Sequence, residues 1–172
     1  MIRIISGKYK GRRLIENKNT LVRPTQAKIR KSIFQILEPF DNKTVLDLYS
    51  GFGTLGIEAI SRGAKFVKFV EKNKRVIEIL RKNLSLLNIE KMEIINSDVK
   101  KFLMWEKKRY DLIIADPPYD SKDYEFLNEM INPLLKSDGI FCLEMKKRKI
   151  ERNYFRLNKY GSSQVVFWRH SL

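Results

Sequence analysis

The sequence predicts an α/β protein built on a mostly parallel sheet with helices on both faces. Short apolar segments alternate along the chain with longer segments whose apolar residues recur at helical spacing. A glycine-rich loop follows one of the short apolar segments, within residues 45–56. Near the end of the chain, residues 161–163 are glycine and serines between two strand-like segments, which predicts a closing antiparallel hairpin.

The chain is expected to form a single domain over residues 1–172, since this length supports one core but hardly two. No apolar run approaches the roughly 20 residues of a membrane span, and the first residues lack the apolar core of a signal peptide. Cys142 and His170 are the only cysteine and histidine, which excludes an internal disulfide and a histidine metal cluster. We therefore expect a cytoplasmic monomer without a metal.

The charge balance favours a polyanionic partner. The chain has 35 Lys and Arg against 20 Asp and Glu, a formal net charge of +15. Solubility needs no such excess, and nucleic acid is the usual partner of a strongly basic chain. A lysine-rich genome-wide composition is the alternative explanation. Clustering of the positive charge in residues 1–31 favours nucleic acid.

Residues 1–22 are predicted to form a basic N-terminal β-hairpin extension with Tyr9 at its tip, because two short apolar segments bracket glycines 7 and 11. Basic side chains interleaved with an aromatic suit phosphate contacts and base stacking. The alternative is a solvated edge hairpin protected by lysines. The candidate nucleic-acid contacts are Arg3, Lys8, Tyr9, Lys10, Arg12, Arg13, Arg23 and Arg30.

A helix is predicted next, with Thr25 as its N-cap and Pro39 as its stop. Its apolar residues from Ile29 to Leu37 fall on one face. We expect this helix to cover the sheet edge beside the glycine loop, which places residues 23–25 near the ligand.

The glycine loop is the first candidate binding site. Asp47 lies at the end of a buried strand, Gly51 and Gly53 follow it, and a helix begins at Thr54. Glycine lets the backbone approach a ligand closely, and the helix start offers unpaired N–H groups. With Gly56 the loop also satisfies the dinucleotide pattern G-x-G-x-x-G, and a tight turn with packing glycines is the bland alternative.

Two further acids follow the next two strands. Glu71 comes 20 positions after Gly51, where the ribose-binding acid of a βαβ nucleotide unit belongs. Asp98 either caps the following helix or accepts a hydrogen bond from an adenine amino group.

The fourth strand of the series delivers an acid, two prolines and an aromatic: Asp116, Pro117, Pro118 and Tyr119. The prolines end the strand and stiffen the loop. Open α/β sheets bind ligands at the carboxyl ends of their strands, so we expect all these acids around one cleft. A proline-stiffened loop with a capping acid is the structural alternative.

The other elements follow from the same patterns. Helices are predicted over 73–88, 102–105 and 124–135, and strands over 66–71, 92–96, 110–116 and 139–144. The basic run 146–149 is predicted to be solvated loop, and segments 154–160 and 164–169 form the closing hairpin.

Taken in order, Asp47, the glycine loop, Glu71, Asp98 and the Asp-Pro-Pro-Tyr stretch resemble the class I S-adenosylmethionine-dependent amino-methyltransferases. Segments 3–12, 22–25, 62–64 and 160–161 look like the RsmD-type 16S ribosomal RNA guanine-N2 methyltransferases, over essentially the whole chain. The resemblance implies a Rossmann-like sheet with an antiparallel C-terminal strand. It also implies S-adenosylmethionine as cofactor and 16S rRNA, within a small ribosomal subunit or assembly intermediate, as substrate.

The resemblance further implies roles for single residues. Ser50 to Gly53, with Asp47 behind them and Thr25 nearby, would hold the methionine end of the cofactor. Its ribose would be bound by Glu71, and its adenine by Asp98 and Val99. The four residues from Asp116 to Tyr119 would hold the target base.

Three other functions fit parts of the sequence. A DNA adenine-N6 methyltransferase uses the same Asp-Pro-Pro-Tyr stretch, but no separate target-recognition domain is visible in 172 residues. A nicotinamide dehydrogenase fits the glycine pattern, but Asp47 before the loop and the Pro-Pro-Tyr stretch fit it badly. A catalytically silent RNA-binding module is opposed by the intact acids and tyrosine.

Overall fold

The structure is a computed structural model that describes residues 1–17, 25–118 and 124–170. Its strands are β1 (Ile2–Arg3), β2 (Arg13–Leu14), β3 (Thr44–Leu48), β4 (Phe66–Glu71), β5 (Met92–Asn96), β6 (Tyr110–Ala115), β7 (Leu135–Lys146), β8 (Arg156–Tyr160) and β9 (Ser163–Arg169). Its helices are α1 (Ala27–Leu37), α2 (Thr54–Ser61), α3 (Lys74–Leu86), α4 (Val99–Trp105) and α5 (Tyr124–Ile131), the last followed by a 3-10 turn, Asn132–Leu134.

Seven strands form one sheet in the order β5-β4-β3-β6-β7-β9-β8. Strands β3 to β7 pair in parallel, and β9 runs antiparallel to both β7 and β8. The predicted sheet, with its antiparallel closing hairpin, is confirmed. Because β4 and β6 lie on opposite sides of β3, the strand order reverses at β3, where open α/β sheets form a ligand crevice.

Two hydrophobic clusters cover the two faces of the sheet. The first packs α1, α2 and α3 against residues such as Val45 of β3 and Leu112 of β6. The second packs α4 and α5 against the opposite face, which includes Leu46 of β3 and Ile113 of β6. Burial of each large apolar side chain contributes about 1.5–3 kcal/mol. Apolar residues on both faces explain why β3 and β6 show nearly continuous hydrophobic sequences.

Three sequence-based boundaries are wrong. Helix α1 has Gln26, not Thr25, at its N-cap position, and no side chain makes a cap bond there. The helix predicted over 124–135 ends at Ile131, because Pro133 has no N–H to donate to the preceding turn. Strand β7 then begins at Leu135, four residues before the predicted start at Gly139.

The N-terminal hairpin forms as predicted, with β1 and β2 paired antiparallel. It is docked on the C-terminal end of α2. The Glu58 carboxylate accepts hydrogen bonds from the N–H groups of Ile5 and Ser6. The Ser61 carbonyl accepts from the Lys8 N–H at 2.7 Å. These contacts make the hairpin part of the folded domain.

In the part of the chain that the structure describes, no helix is both long and apolar enough to cross a bilayer.

Replacing Gly7 by alanine should detach the hairpin from α2. Gly7 has φ +79°, and a Cβ there would lie 1.8 Å from the Ser61 carbonyl oxygen. A left-handed backbone alone costs alanine about 1–2 kcal/mol, and the overlap adds roughly another 1–3 kcal/mol. We expect urea unfolding to show a free-energy loss of about 3 kcal/mol.

Gly11→Ala is the matched control. Gly11 has φ +82°, but a Cβ there meets nothing within 4 Å. This variant should therefore lose only the backbone contribution, about 1–2 kcal/mol. Equal losses in the two variants would show that the contact with Ser61 does not hold the hairpin.

Candidate active site

Three acids lie on one face of the sheet at the carboxyl ends of neighbouring strands. Asp47 of β3 pairs with Phe69 of β4 and with Ile114 of β6. Side chains alternate along a strand, so Glu71 and Asp116, each two residues beyond these partners, point to the same face as Asp47. The strand register thus brings the three acids together at one edge of the sheet, as their spacing predicts.

Asp47 is buried behind the glycine loop. It is 1% exposed, and its Oδ2 accepts a hydrogen bond from the Gly56 N–H at 2.8 Å. Burial raises the pKa of Asp47 to about 8, the Gly56 bond opposes the rise, and the negative charges of Asp116 and Glu71 add to it. The three acids are therefore within electrostatic reach of one another. Gly56 is required for this approach, since a Cβ there would lie 2.8 Å from Asp47 Oδ2.

Glu71 connects the end of β4 to the glycine loop. Its Oε2 accepts from the Gly51 N–H at 3.1 Å and its Oε1 from the Asn73 N–H at 2.8 Å. Asn73 in turn caps α3 with its side chain. The carboxylate is therefore fixed at the carboxyl edge of the sheet, beside the loop.

The glycine loop is a tight turn that leads into α2. Gly51 and Gly53 have φ of 54° and 84°, and the Gly53 N–H donates to the Ser50 carbonyl at 2.8 Å. A Cβ on Gly53 would lie 2.4 Å from Leu80 Cδ1. The buried Ser50 hydroxyl has no hydrogen-bond partner among the described residues. An orphaned hydroxyl in this loop fits a polar ligand such as the amino-acid end of the expected cofactor.

Asp98 and Val99 follow β5 at the same edge. The Asp98 Oδ1 accepts from the N–H groups of Lys100 and Lys101, so the capping function weighed for Asp98 is confirmed. Its carboxylate is half-buried, and Val99 is buried in the second hydrophobic cluster. Contact with an adenine stays a prediction for both residues.

Asp116 follows β6 and receives a hydrogen bond from the hydroxyl of Thr25 at its Oδ2. Burial raises the pKa of Asp116 to about 6, and the Thr25 bond opposes the rise. Pro117 is buried and Pro118 exposed. The Thr25 hydroxyl contacts Asp116 instead of capping α1, and its contact with the cofactor stays a prediction.

Arg23 and Tyr119, two of the predicted site residues, lie outside the described residues.

The tip of the basic hairpin lies away from the acids, whereas its second strand ends near the glycine loop: Asn83 bonds both Ile15 and the Phe52 carbonyl. The Tyr9 N–H donates to Ser61 Oγ at 3.0 Å, at the end of α2 opposite Thr54. The eight residues of α2 span about 12 Å. The hairpin tip therefore lies on the side of the sheet where the parallel strands have their amino ends. Tyr9 is half-buried and packs against the first hydrophobic cluster.

The other basic hairpin residues differ in how they are used. Lys8, Lys10 and Arg13 are exposed. The exposed Arg3 and Arg12 donate to the carbonyls of Gly11 and Leu86. RNA contact stays a prediction for these five residues. The structure gives each of them access to solvent but brings none of them to the acids.

Arg30 does not fit the RNA contact expected of it. The side chain is 3% exposed, and its Nη2 donates to the Arg3 carbonyl at 3.1 Å. Burial lowers the pKa of Arg30, while the negative charge of Glu58 acts in the opposite direction. Arg30 therefore holds the N-terminal segment against α1 through this hydrogen bond.

Glu144 is a further buried acid at this edge of the sheet, and sequence reasoning missed it. Leu143 of β7 pairs with Ala115 of β6, so Glu144 lies beside Asp116. It is 3% exposed. Its charge and that of Asp116 reinforce the effect of burial in raising the pKa of the Cys142 thiol. The available signal was that Glu144 ends a predicted strand, as Glu71 does.

Known proteins are similar to this chain in sequence and in fold. A family model described as conserved hypothetical protein 95 matches residues 2–169. The chain is 34% identical to the ribosomal RNA small subunit methyltransferase D of Haemophilus influenzae, with 98% of this chain and 92% of that protein covered. It is 36% identical to the putative rRNA methyltransferase YlbH of Bacillus subtilis, with 83% and 82% covered.

Among solved structures, the putative methyltransferase yhhF from Escherichia coli superposes with a TM-score of 0.89. The identity is 26%, and the superposition covers 99% of this chain and 98% of that one.

The burial of Asp47 should make stability fall with rising pH. Its pKa is 3.8 ordinarily and about 8 in the folded protein, so between these values the folded state holds a proton that the unfolded chain has lost. Asp116 contributes only up to about pH 6. We expect urea unfolding of the cofactor-free protein to show a decrease from about pH 6 to about pH 8, which Asp47→Asn abolishes. A variant with the wild-type slope would contradict this.

Thr25→Val should raise the pKa of Asp116 above about 6, because the lost hydrogen bond favours the ionised carboxylate. NMR titration of carbon-13-labelled aspartate carboxyls measures this pKa. Thr44→Val is the control, since the Thr44 hydroxyl makes the equivalent bond to Asp111 at the start of the same strand. An unchanged Asp116 pKa in Thr25→Val would rule out the hydroxyl as a stabiliser of the charge.

Proposed function

Since the chain belongs to the family of the ribosomal RNA small subunit methyltransferases D, we propose that it methylates the exocyclic N2 amine of a guanine in 16S rRNA. The methyl donor is S-adenosylmethionine. The protein acts in the cytoplasm as a monomer without a metal, on RNA in a small subunit or assembly intermediate. The observation that carries this proposal is the cleft in which Asp47, Glu71 and Asp116 share one face beside the glycine loop.

The residues of the cleft suit the parts of the cofactor. Ser50 offers an unpartnered hydroxyl to its amino-acid end, and Glu71 offers carboxylate oxygens to its ribose hydroxyls. Asp98 and Val99 flank the place for its adenine. The sulfonium of the cofactor supplies an already reactive methyl group, so the protein needs no group to activate it.

Asp116 compensates for the low nucleophilicity of the target amine. An exocyclic amine reacts poorly because its lone pair is delocalised into the ring. The Asp116 carboxylate and the Pro117 carbonyl accept its N–H bonds, which favours a tetrahedral nitrogen and stabilises the positive charge that develops there. Proximity and alignment in the cleft supply the remaining acceleration.

The environment of Asp116 suits this task. With a pKa of about 6, the carboxylate is mostly ionised at neutral pH and can still accept the proton that the nitrogen loses. The Thr25 hydroxyl holds one carboxylate oxygen, Oδ2, in place, so Thr25 orients the acid.

Tyr119 is the residue that we expect to contact the ring of the target base. We expect its ring to stack on the target base once the base leaves the RNA stack, an interaction of roughly 1–3 kcal/mol.

Asp116→Asn should reduce methyl transfer by roughly 100-fold or more, because the amide cannot accept both the hydrogen bond and the proton. Transfer is measured with radiolabelled cofactor on small subunits from cells that lack the protein. Calorimetry with S-adenosylhomocysteine should show binding close to wild type.

Asp111→Asn is the control, since Asp111 lies on the same strand but at its amino end, paired with Lys136. This variant should retain transfer. Mass spectrometry of the product identifies the modified nucleotide. Near-normal turnover of Asp116→Asn would refute the role of the acid, and a methylated adenine would refute the proposed acceptor.

A further inference from the structure

We propose that a groove between α1 and β8 binds the single-stranded RNA that flanks the target base. This inference rests on the proposed function and names the surface that its substrate follows. The groove has a volume of about 560 Å³ and is lined by Lys28, Leu157, Asn158, Lys159 and Tyr160. It is called the α1–β8 groove below.

One end of the α1–β8 groove lies close to the catalytic acid. Thr25, whose hydroxyl contacts Asp116, precedes the first turn of α1. Lys28 comes three residues later, in the first turn of α1. A strand that leaves the catalytic cleft along α1 therefore meets Lys28 first.

The β8 wall of the groove lies level with Asp116 along the direction of the strands. Asn158 of β8 pairs with Val165 of β9, which pairs with Glu144 of β7. Glu144 in turn lies beside Asp116, by the register of β6 and β7. Asn158 and Asp116 are thus three strands apart on one face, roughly 14 Å across the sheet. A few nucleotides of extended RNA cover this distance.

The charge of the α1–β8 groove fits phosphates. Lys28 is exposed on α1, and Arg156 is exposed on β8 with its Nε donating to Asn158 Oδ1. Neither belongs to an ion pair within the described residues. Lys31 is exposed one turn beyond Lys28 on α1. The side chain of Lys159 alternates to the other face of β8, so Arg156 supplies the positive charge of the β8 wall. Such a positive lining with unpaired lysines is the usual surface for a nucleic-acid backbone.

The floor of the groove is preformed. The Asn158 side-chain amide donates to Ser32 Oγ of α1 at 3.1 Å, and the Tyr160 hydroxyl also donates to Ser32 Oγ. The Tyr160 ring packs against the first hydrophobic cluster. These bonds tie β8 to α1, so the RNA would meet a surface that needs no ordering on binding.

The tip of the basic hairpin cannot replace this surface. It contacts Ser61 at the far end of α2, so phosphates bound at the tip are distant from the reacting base. Lys28 of the α1–β8 groove, by contrast, follows Thr25 by three residues. The exposed edge of β8 could also pair with a strand of a ribosomal protein, but the positive walls favour RNA.

The test is the double variant Lys28→Glu/Arg156→Glu. Its control is Lys91→Glu/Lys108→Glu, which makes the same change in net charge at exposed positions. These two lysines precede β5 and β6 and so lie at the amino ends of the parallel strands. Filter binding of a deproteinised 16S rRNA fragment is measured over a range of salt concentrations. Loss of two phosphate contacts should lower the salt slope by about 1.4, at roughly 0.7 per contact for single strands, while the control keeps the wild-type slope.

Lys28→Gln/Arg156→Gln repeats the test without adding acids and should lower the slope equally. Thermal melting and S-adenosylhomocysteine binding should match wild type in every variant. Equal salt slopes for the groove and control variants overturn the proposal. It is also overturned if the groove variant binds the deproteinised fragment normally but binds intact subunits weakly, since the occupant is then a ribosomal protein.

Methyl transfer is read separately from binding. A wild-type protein that methylates no guanine refutes the proposed function, while the salt slopes still decide whether the α1–β8 groove binds RNA.

Discussion

The buried hydrogen bond from the Gly56 N–H to Asp47 is the constraint on which the rest of the site depends. It joins the centre of the sheet to the first turns of α2 and so fixes the glycine loop between them. No cation contributes to the raised pKa of Asp47, so its ionised form is unfavourable in the free protein. Glu71 and Asp116 lie on the same face of the sheet as Asp47. An electrostatic arrangement of this kind is relieved when a positively charged ligand enters.

The sequence allowed accurate prediction where local pattern decides the structure. Strands β4 and β5 have the predicted bounds, because their apolar runs are short and flanked by turn residues. The meeting of the acids at one edge also followed, since parallel strands align their carboxyl ends. The helix predicted over 124–135 was too long because apolar periodicity continued past Pro133, where the backbone could not.

Tertiary partners account for what sequence reasoning missed. The Thr25 hydroxyl bonds Asp116, 91 positions away, in preference to the adjacent helix. Arg30 resembles a surface cation by type, yet the N-terminal segment covers it. The hairpin could be predicted, but its location could not, because its anchors Glu58 and Ser61 have the appearance of ordinary helix positions.

The strand order has a consequence for how such a protein can diversify. The acids lie on β3, β4 and β6 in the middle of the sheet, whereas the α1–β8 groove uses the outermost strand. Substitutions along β8 alter none of the hydrogen bonds that position Asp47, Glu71 or Asp116. The outer strand is therefore free to drift towards a new nucleic-acid target while the reacting centre stays under selection.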